Sequence, residues 1–195
     1  MRYRVHRKYR VSGLFLLAVL FVALGQALGW FGAAGRGVVR LQPGQYAIDH
    51  YIDGDTIAVD MNGQIETVRF IGIDTPETHK PNTPVQCYGP AAAAHTKNAI
   101  EAAGGKVRLV SDSLSTNRDR YDRLLRYVYL PDGTNLNLLN IQQGYAFYYP
   151  YFPYSKSAEF AAAERSAQAG HRGLWGVCHP TPSDDGGYKM NETAG

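Results

Sequence analysis

The chain begins polar and basic, turns apolar over residues 14–33, and from residue 45 alternates short β-rich runs with turn residues. The apolar run carries no charge and one polar side chain, Gln26, and it follows Arg2, Arg4, Arg7, Lys8 and Arg10. A basic start before an uncharged run is the pattern of an export segment. It takes one of two forms. Residues 14–24 suit a signal-peptide core, with Ala23-Leu24-Gly25 or Ala27-Leu28-Gly29 as a cleavage site. The whole run, about 20 residues, is also long enough to cross a bilayer uncut. Trp30 and Phe31 read as interfacial residues and favour the anchor. Either way the basic end stays inside and the rest lies outside the cytoplasm, on the membrane or secreted. Residues 1–12 are then the cytoplasmic start, 13–33 the signal peptide or anchor, and 34–44 a linker with Gly35, Gly37, Pro43 and Gly44.

Beyond the linker the pattern predicts a folded domain over 45–179. β-formers at 45–52, 56–60 and 64–73 give three strands, and Asn62-Gly63 between the last two is a strong hairpin signal. Pro90 opens an alanine-rich helix to about 103, with Gly104 as its stop. Two more strands follow at 106–110 and 123–130, separated by a polar loop. A short helix over 137–143, an aromatic stretch over 145–154 and a helix over 157–169 complete the domain. Residues 180–195 read as a flexible polar tail. Five strands with a helix between the third and fourth predict an α+β fold, a five-stranded OB-type barrel with about three helices, preceded by the hydrophobic segment.

Composition changes this picture in two places. The net charge is +3, but without the five basic residues of the first ten positions 15 bases face 17 acids. A broad basic nucleic-acid-binding surface is therefore excluded, and phosphate recognition falls to a few placed arginines. The two cysteines, Cys87 and Cys178, suit one disulfide in an exported chain. Two buried thiols, or a metal site with His179, are the alternatives.

Four pieces carry candidate chemistry. In Asp53-Gly54-Asp55-Thr56 the two acids face one way along an extended chain and Gly54 permits a sharp turn. Close carboxylates suit a hard cation bound through oxygen, although Asp-Gly-Asp is also an ordinary turn. In residues 69–78, RFIGIDTPET, Asp74 ends a strand and Pro76 biases Thr75 away from helix, which turns its carbonyl towards a cation. Arg69 inside an apolar strand needs an anion, and a bulge near Gly72 is needed to bring Arg69 and Asp74 to one side. In residues 119–123, DRYDR, Arg123 is suited to a two-pronged phosphate grip and Tyr121 to stacking; a solvated charge run is the plainer reading. The aromatic stretch offers Tyr148, Tyr149 and Tyr151 for base contact, with Tyr149 taken as the candidate, although most of its rings serve packing. Together these supply what phosphodiester hydrolysis needs: a cation, a base for water, and positive charge for the transition state.

Over residues 45–175 the chain resembles the staphylococcal nuclease family. The resemblance rests on DGDT at 53–56, VRFIGIDTPET at 68–78, YGP at 88–90, DRYDRLL at 119–125, NL at 137–138, GYA at 144–146 and GLW at 173–175. It implies an OB barrel and Ca2+-dependent cleavage of DNA and RNA that leaves 3′-phosphate ends. It implies Asp55, Asp74 and the Thr75 carbonyl as calcium ligands, with Asp53 in support. Glu77 is then the general base, Arg69 and Arg123 the phosphate-binding pair, and Tyr121 a nucleotide contact beside Arg120. A monomer is expected, with a membrane contact only if the first segment stays uncut. Asp122 departs from the family, which usually has glycine there. The rival reading is a catalytically weak OB module that binds nucleic acid or another ligand at the membrane.

Overall fold

The structure is a computed structural model that describes residues 44–78, 84–184 and 186–190. The basic start, the export or anchor segment and all but the last residue of the linker lie outside the described residues. Among the described residues no helix is long and apolar enough to cross a membrane.

Five strands close into a barrel: β1 (Tyr46–Tyr51), β2 (Thr56–Asp60), β3 (Ile65–Phe70), β5 (Lys106–Val110) and β6 (Leu124–Tyr129), in the order β1-β2-β3-β6-β5. All neighbours are antiparallel except β3 and β6, which run parallel. The β2–β3 hairpin turns at Asn62 and Gly63, both at positive φ, 59° and 87°, as a two-residue Asn-Gly turn requires. The core is aliphatic and fully buried at Ile57, Val59, Val68, Ile73, Val107 and Val128. Each such side chain stabilises the fold by about 1.5–3 kcal/mol relative to exposure.

Helix α1 (Gly89–Ala102) starts with a proline in its first turn and lies between the third and fourth barrel strands. Its buried face is Gly89, Ala92, Thr96 and Ile100. Helix α2 (Leu136–Gln142) is capped by Asn135, whose side chain accepts from the Leu138 N–H. Helix α3 (Ser157–Ala169) packs on α2, and a short α4 (Leu174–Val177) follows.

Two sequence expectations change. The strand expected over 64–73 breaks after Phe70, because Gly72 adopts φ 74° and redirects the chain. A side chain there would meet the Tyr154 ring at 2.5 Å, so the turn and the ring fit only with glycine. The remainder becomes β4 (Ile73–Asp74), which pairs with β7 (Phe147–Tyr148) from the aromatic stretch. The polar tail also contains structure. β8 (Thr181–Pro182) and β9 (Tyr188–Lys189) form a hairpin, and Tyr188 packs on Phe147 and Trp175. Burial of this ring and of Met190 draws an otherwise polar segment back onto the domain. Of the alternatives for the cysteines, the structure shows the disulfide. Cys87 and Cys178 are joined with Cα atoms 5.9 Å apart across 91 residues, which ties the loop before α1 to the end of α4.

Candidate active site

The β1–β2 turn carries Asp53, Gly54 and Asp55. Thr56 pairs across the sheet with Arg69 of β3, so the register places Arg69 beside Asp55. The guanidinium Nε lies 3.2 Å from Asp55 Oδ1, and Nη2 donates to Asp74 Oδ1 at 2.8 Å. Nη1 donates to the carbonyls of Ile73 (2.7 Å) and Phe70 (3.1 Å). Arg69 thus bridges two carboxylates and also closes the turn at Gly72, which is how residues of opposite strand parity come to meet. Burial disfavours its charge, but Asp55, Asp74 and Asp53 outweigh this and hold its pKa above the usual value.

Asp55 is buried and well held. Its Oδ2 accepts from the Thr75 N–H (2.8 Å) and Thr75 Oγ1 (3.1 Å), and its Oδ1 accepts from Thr56 Oγ1 (2.9 Å). Asp53 accepts from the Asp55 N–H at 3.0 Å. Burial, then repulsion from Asp55, pushes the Asp53 carboxyl up to about 7. Among the described residues no three acid, histidine or cysteine side chains converge closely enough to hold a metal by themselves. The donor chemistry nevertheless fits a hard cation. The donors are oxygens only, the crowded charge at Asp53 and Asp55 is costly, and such cations complete about six to eight ligands with carbonyls and waters.

Arg69 opens into a cleft of about 640 Å³, also lined by Arg118, Arg120, Tyr121, Arg123 and Tyr149. Arg123 donates from Nε to Asp119 Oδ2 at 2.7 Å, with Nη2 2.6 Å from the same oxygen. Its guanidinium carbon lies 5.3 Å from the centre of the Tyr121 ring, and that of Arg120 lies 4.8 Å from it. Tyr121 is 64% exposed. Of the three tyrosines, Tyr149 is the one that lines this cleft. The Tyr148 hydroxyl instead bonds Ser157 Oγ, and the Tyr151 hydroxyl donates to the Gly186 carbonyl.

Glu77 stands apart from the cleft lining. Its N–H donates to Gln86 Oε1 at 2.8 Å, its carbonyl accepts from the Gln86 N–H at 2.9 Å, and its Oε1 accepts from the Thr78 N–H at 3.0 Å. Gln86 thereby clamps Glu77 next to the disulfide cysteine. Asp53 lines a second, open groove with Asp49, Tyr51 and Lys97. Asp122 sits at φ 64°. Glycine has no penalty in that left-handed region and aspartate a modest one. Its carbonyl accepts from Arg118 Nη1 at 2.6 Å and its carboxylate lies 3.6 Å from Arg118 Nε.

Sequence reasoning missed several residues. Arg126 is fully buried and donates to the Asn117 carbonyl and side chain and to the Leu125 carbonyl, anchoring the loop that presents Tyr121. Arg118 pairs with Glu66 at 2.9 Å. Thr96 and Asn140 bond the Gly54 carbonyl. Two signals were available: Arg126 is a charge inside an apolar strand, and Thr96 a lone hydroxyl on an alanine-rich helical face.

Arg69, backed by two carboxylates, and Arg123, held by Asp119 against the Tyr121 ring, line one cleft of a five-stranded barrel, an arrangement suited to a phosphate ester. Comparison with known proteins narrows the class. The family described as "Staphylococcal nuclease homologue" matches residues 67–177. The thermonuclease of Staphylococcus intermedius is 38% identical over 168 residues, 84% of this chain and 96% of that protein. The thermonuclease of Staphylococcus hyicus is 38% identical over 169 residues, 85% of this chain and 92% of its own. Endonuclease YncB of Bacillus subtilis is 40% identical over 130 residues, 66% of this chain and 60% of that protein. The chain belongs to the staphylococcal nuclease family.

Proposed function

We propose that this chain is a calcium-dependent nuclease that hydrolyses DNA and RNA outside the cytoplasm and leaves 3′-phosphate ends. The observation that carries the reading is the convergence of Arg69, Arg123, Tyr121 and Tyr149 on one cleft, with Asp55 and Asp74 bonded behind Arg69.

The side chains divide the work. Arg123 and Arg69 donate to the non-bridging phosphoryl oxygens, whose charge grows as water attacks phosphorus. Each already holds a carboxylate, which orients its planar fork before substrate arrives. Tyr121 and Tyr149 stack on or bond the nucleotide and set the phosphate between the arginines. Glu77, which lies outside the cleft lining and is assigned from the family resemblance, would take the proton of the attacking water once substrate and cation complete the site. The P–O5′ bond breaks, the 5′-oxygen leaves and takes a proton from solvent water to become a hydroxyl, and the phosphate stays on the 3′ side. Asp55, Asp74 and the Thr75 carbonyl would hold calcium, supported by Asp53. Calcium supplies charge stabilisation at the phosphoryl oxygen when bound.

The compartment rests on the basic-then-apolar start and is supported by the disulfide, since such bonds persist in oxidising surroundings. Digestion of single- and double-stranded DNA and RNA, with calcium and with excess chelator, tests the reading, and end-group analysis tests the 3′-phosphate. Full activity in chelator would remove the metal assignment. Binding without cleavage under any condition would leave a nucleic-acid-binding module.

A further inference from the structure

The Asp53-Gly54-Asp55 turn is gripped from behind by two helices. Thr96 of α1 donates from Oγ1 to the Gly54 carbonyl at 2.6 Å. Asn140 of α2 donates from Nδ2 to Thr96 Oγ1 at 3.1 Å and reaches the Gly54 carbonyl at 3.4 Å. Because its amide NH2 is directed to these oxygens, its Oδ1 faces outward and lies 2.8 Å from His95 Nδ1. His95 Nε2 lies 2.9 Å from Gln143 Oε1, and its ring stacks on Tyr145 with centroids 3.9 Å apart. A chain of four polar side chains therefore runs from the surface to the peptide between the two acids.

Packing gives no reason for these polar groups. Thr96 and Asn140 are both fully buried. Thr96 stands on one helical face with Ala92 and Ile100, where valine would fill the same volume. A buried hydroxyl or amide costs stability unless bonded, so its value lies in the bond it makes. That bond ends on the Gly54–Asp55 peptide, between two carboxylates that repel each other. Gly54 cannot retreat on its other side, since a Cβ there would lie 2.8 Å from Thr75 Cγ2, and Thr75 itself holds Asp55. The turn is fixed between Thr75 and Thr96.

We propose that Thr96, Asn140 and His95 are positioning residues that set the separation of Asp53 and Asp55 and thereby the affinity for calcium. This rests on the calcium reading above. None of the three touches the cleft or the acids. Losing the tether lets the two carboxylates relax apart, which weakens the cation site and leaves the arginine–tyrosine side unchanged.

The test is calcium affinity itself, measured by NMR titration of the folded protein well below its melting temperature. Thr96→Val should weaken calcium binding about 5- to 30-fold, the range corresponding to a lost buried hydrogen bond. Thr96→Ser, which keeps the hydroxyl, should stay within about twofold of wild type. His95→Phe keeps the ring stack on Tyr145 and loses the bond to Asn140, so about a 2- to 5-fold loss is expected. Oligonucleotide affinity in chelator, followed by fluorescence anisotropy, should be unchanged in all three. Should Thr96→Val not fold, His95→Phe decides alone. Lowered melting temperatures with wild-type calcium affinity would overturn the inference and leave a purely structural network. A wild-type protein that binds no calcium would instead overturn the calcium reading, and the inference with it.

Discussion

Arg69 and Arg123 face the same cleft but are built in opposite ways. Arg69 comes from a barrel strand, its side chain is 13% exposed, and it contacts four oxygens, two from carboxylates and two from its own turn. Arg123 comes from the end of a loop and is 29% exposed. Among the described residues Asp119 is the one carboxylate that holds it, and it lies against Tyr121. The first is part of the fold and the second is a gripping arm. Fixing one arginine takes acids set by the fold, of which Asp55 is buried. Admitting a nucleotide requires an exposed ring and a loop with room to adjust.

Mutation separates the two arginines most clearly. Arg123→Ala should keep the fold and cut kcat/KM by about 10²–10⁴-fold, as loss of a transition-state donor does. Arg69→Ala should lose at least as much activity and also stability, by about 3–5 kcal/mol, because it leaves buried Asp55 without its cation. Equal melting temperatures for the two variants would erase the distinction. Arg→Lys at either position should rescue poorly, since a point charge lacks the fork. Glu77→Gln should reduce kcat by about 10²–10⁴-fold with little change in calcium affinity.

Away from the cleft, the same contrast between fixed and adjustable parts is read in stability. Replacing Cys87 and Cys178 together by serine should cost about 2–4 kcal/mol in chemical denaturation. It should also lower activity, since Gln86, next to Cys87, clamps Glu77. Glu164 of α3 is buried and accepts from the Tyr148 N–H at 2.9 Å. Burial raises its carboxyl to about 7, against an ordinary value of 4.5. The folded protein therefore holds that proton more tightly than the unfolded chain. The linked stability is fully present below about pH 4.5 and is lost as pH rises through 7. Glu164→Gln should be neutral at about pH 4 and stabilising at about pH 8 by on the order of 1–3 kcal/mol, read from melting curves.

The smallest effect belongs to Asp122→Gly. Its carboxylate faces Arg118, and Arg123 is held by Asp119 instead. Activity should stay within about twofold, and stability should rise by about 0.5–1 kcal/mol as the left-handed strain is relieved. A large change in activity would show that Asp122 acts on the phosphate grip.

The barrel and its helix order were legible along the chain, because alternation, the Asn62-Gly63 turn and the Pro90 and Gly104 boundaries are local signals. That Arg69 needs an anion was legible too, because a charge inside an apolar strand is conspicuous, and the structure gives it Asp55 and Asp74. How these residues are joined depends on packing. Strand parity already called for a bulge near Gly72; that the chain turns there into a separate strand, β4, against the Tyr154 ring is a matter of packing. That Tyr149 lines the cleft while Tyr148 bonds the third helix and Tyr151 the C-terminal hairpin was decided by packing. The tether on Gly54 comes from Thr96 and Asn140, 42 and 86 positions further along the chain, with His95 bonded behind Asn140. No local pattern encodes such a contact, because buried hydrogen bonds between distant elements are set by packing and not by spacing.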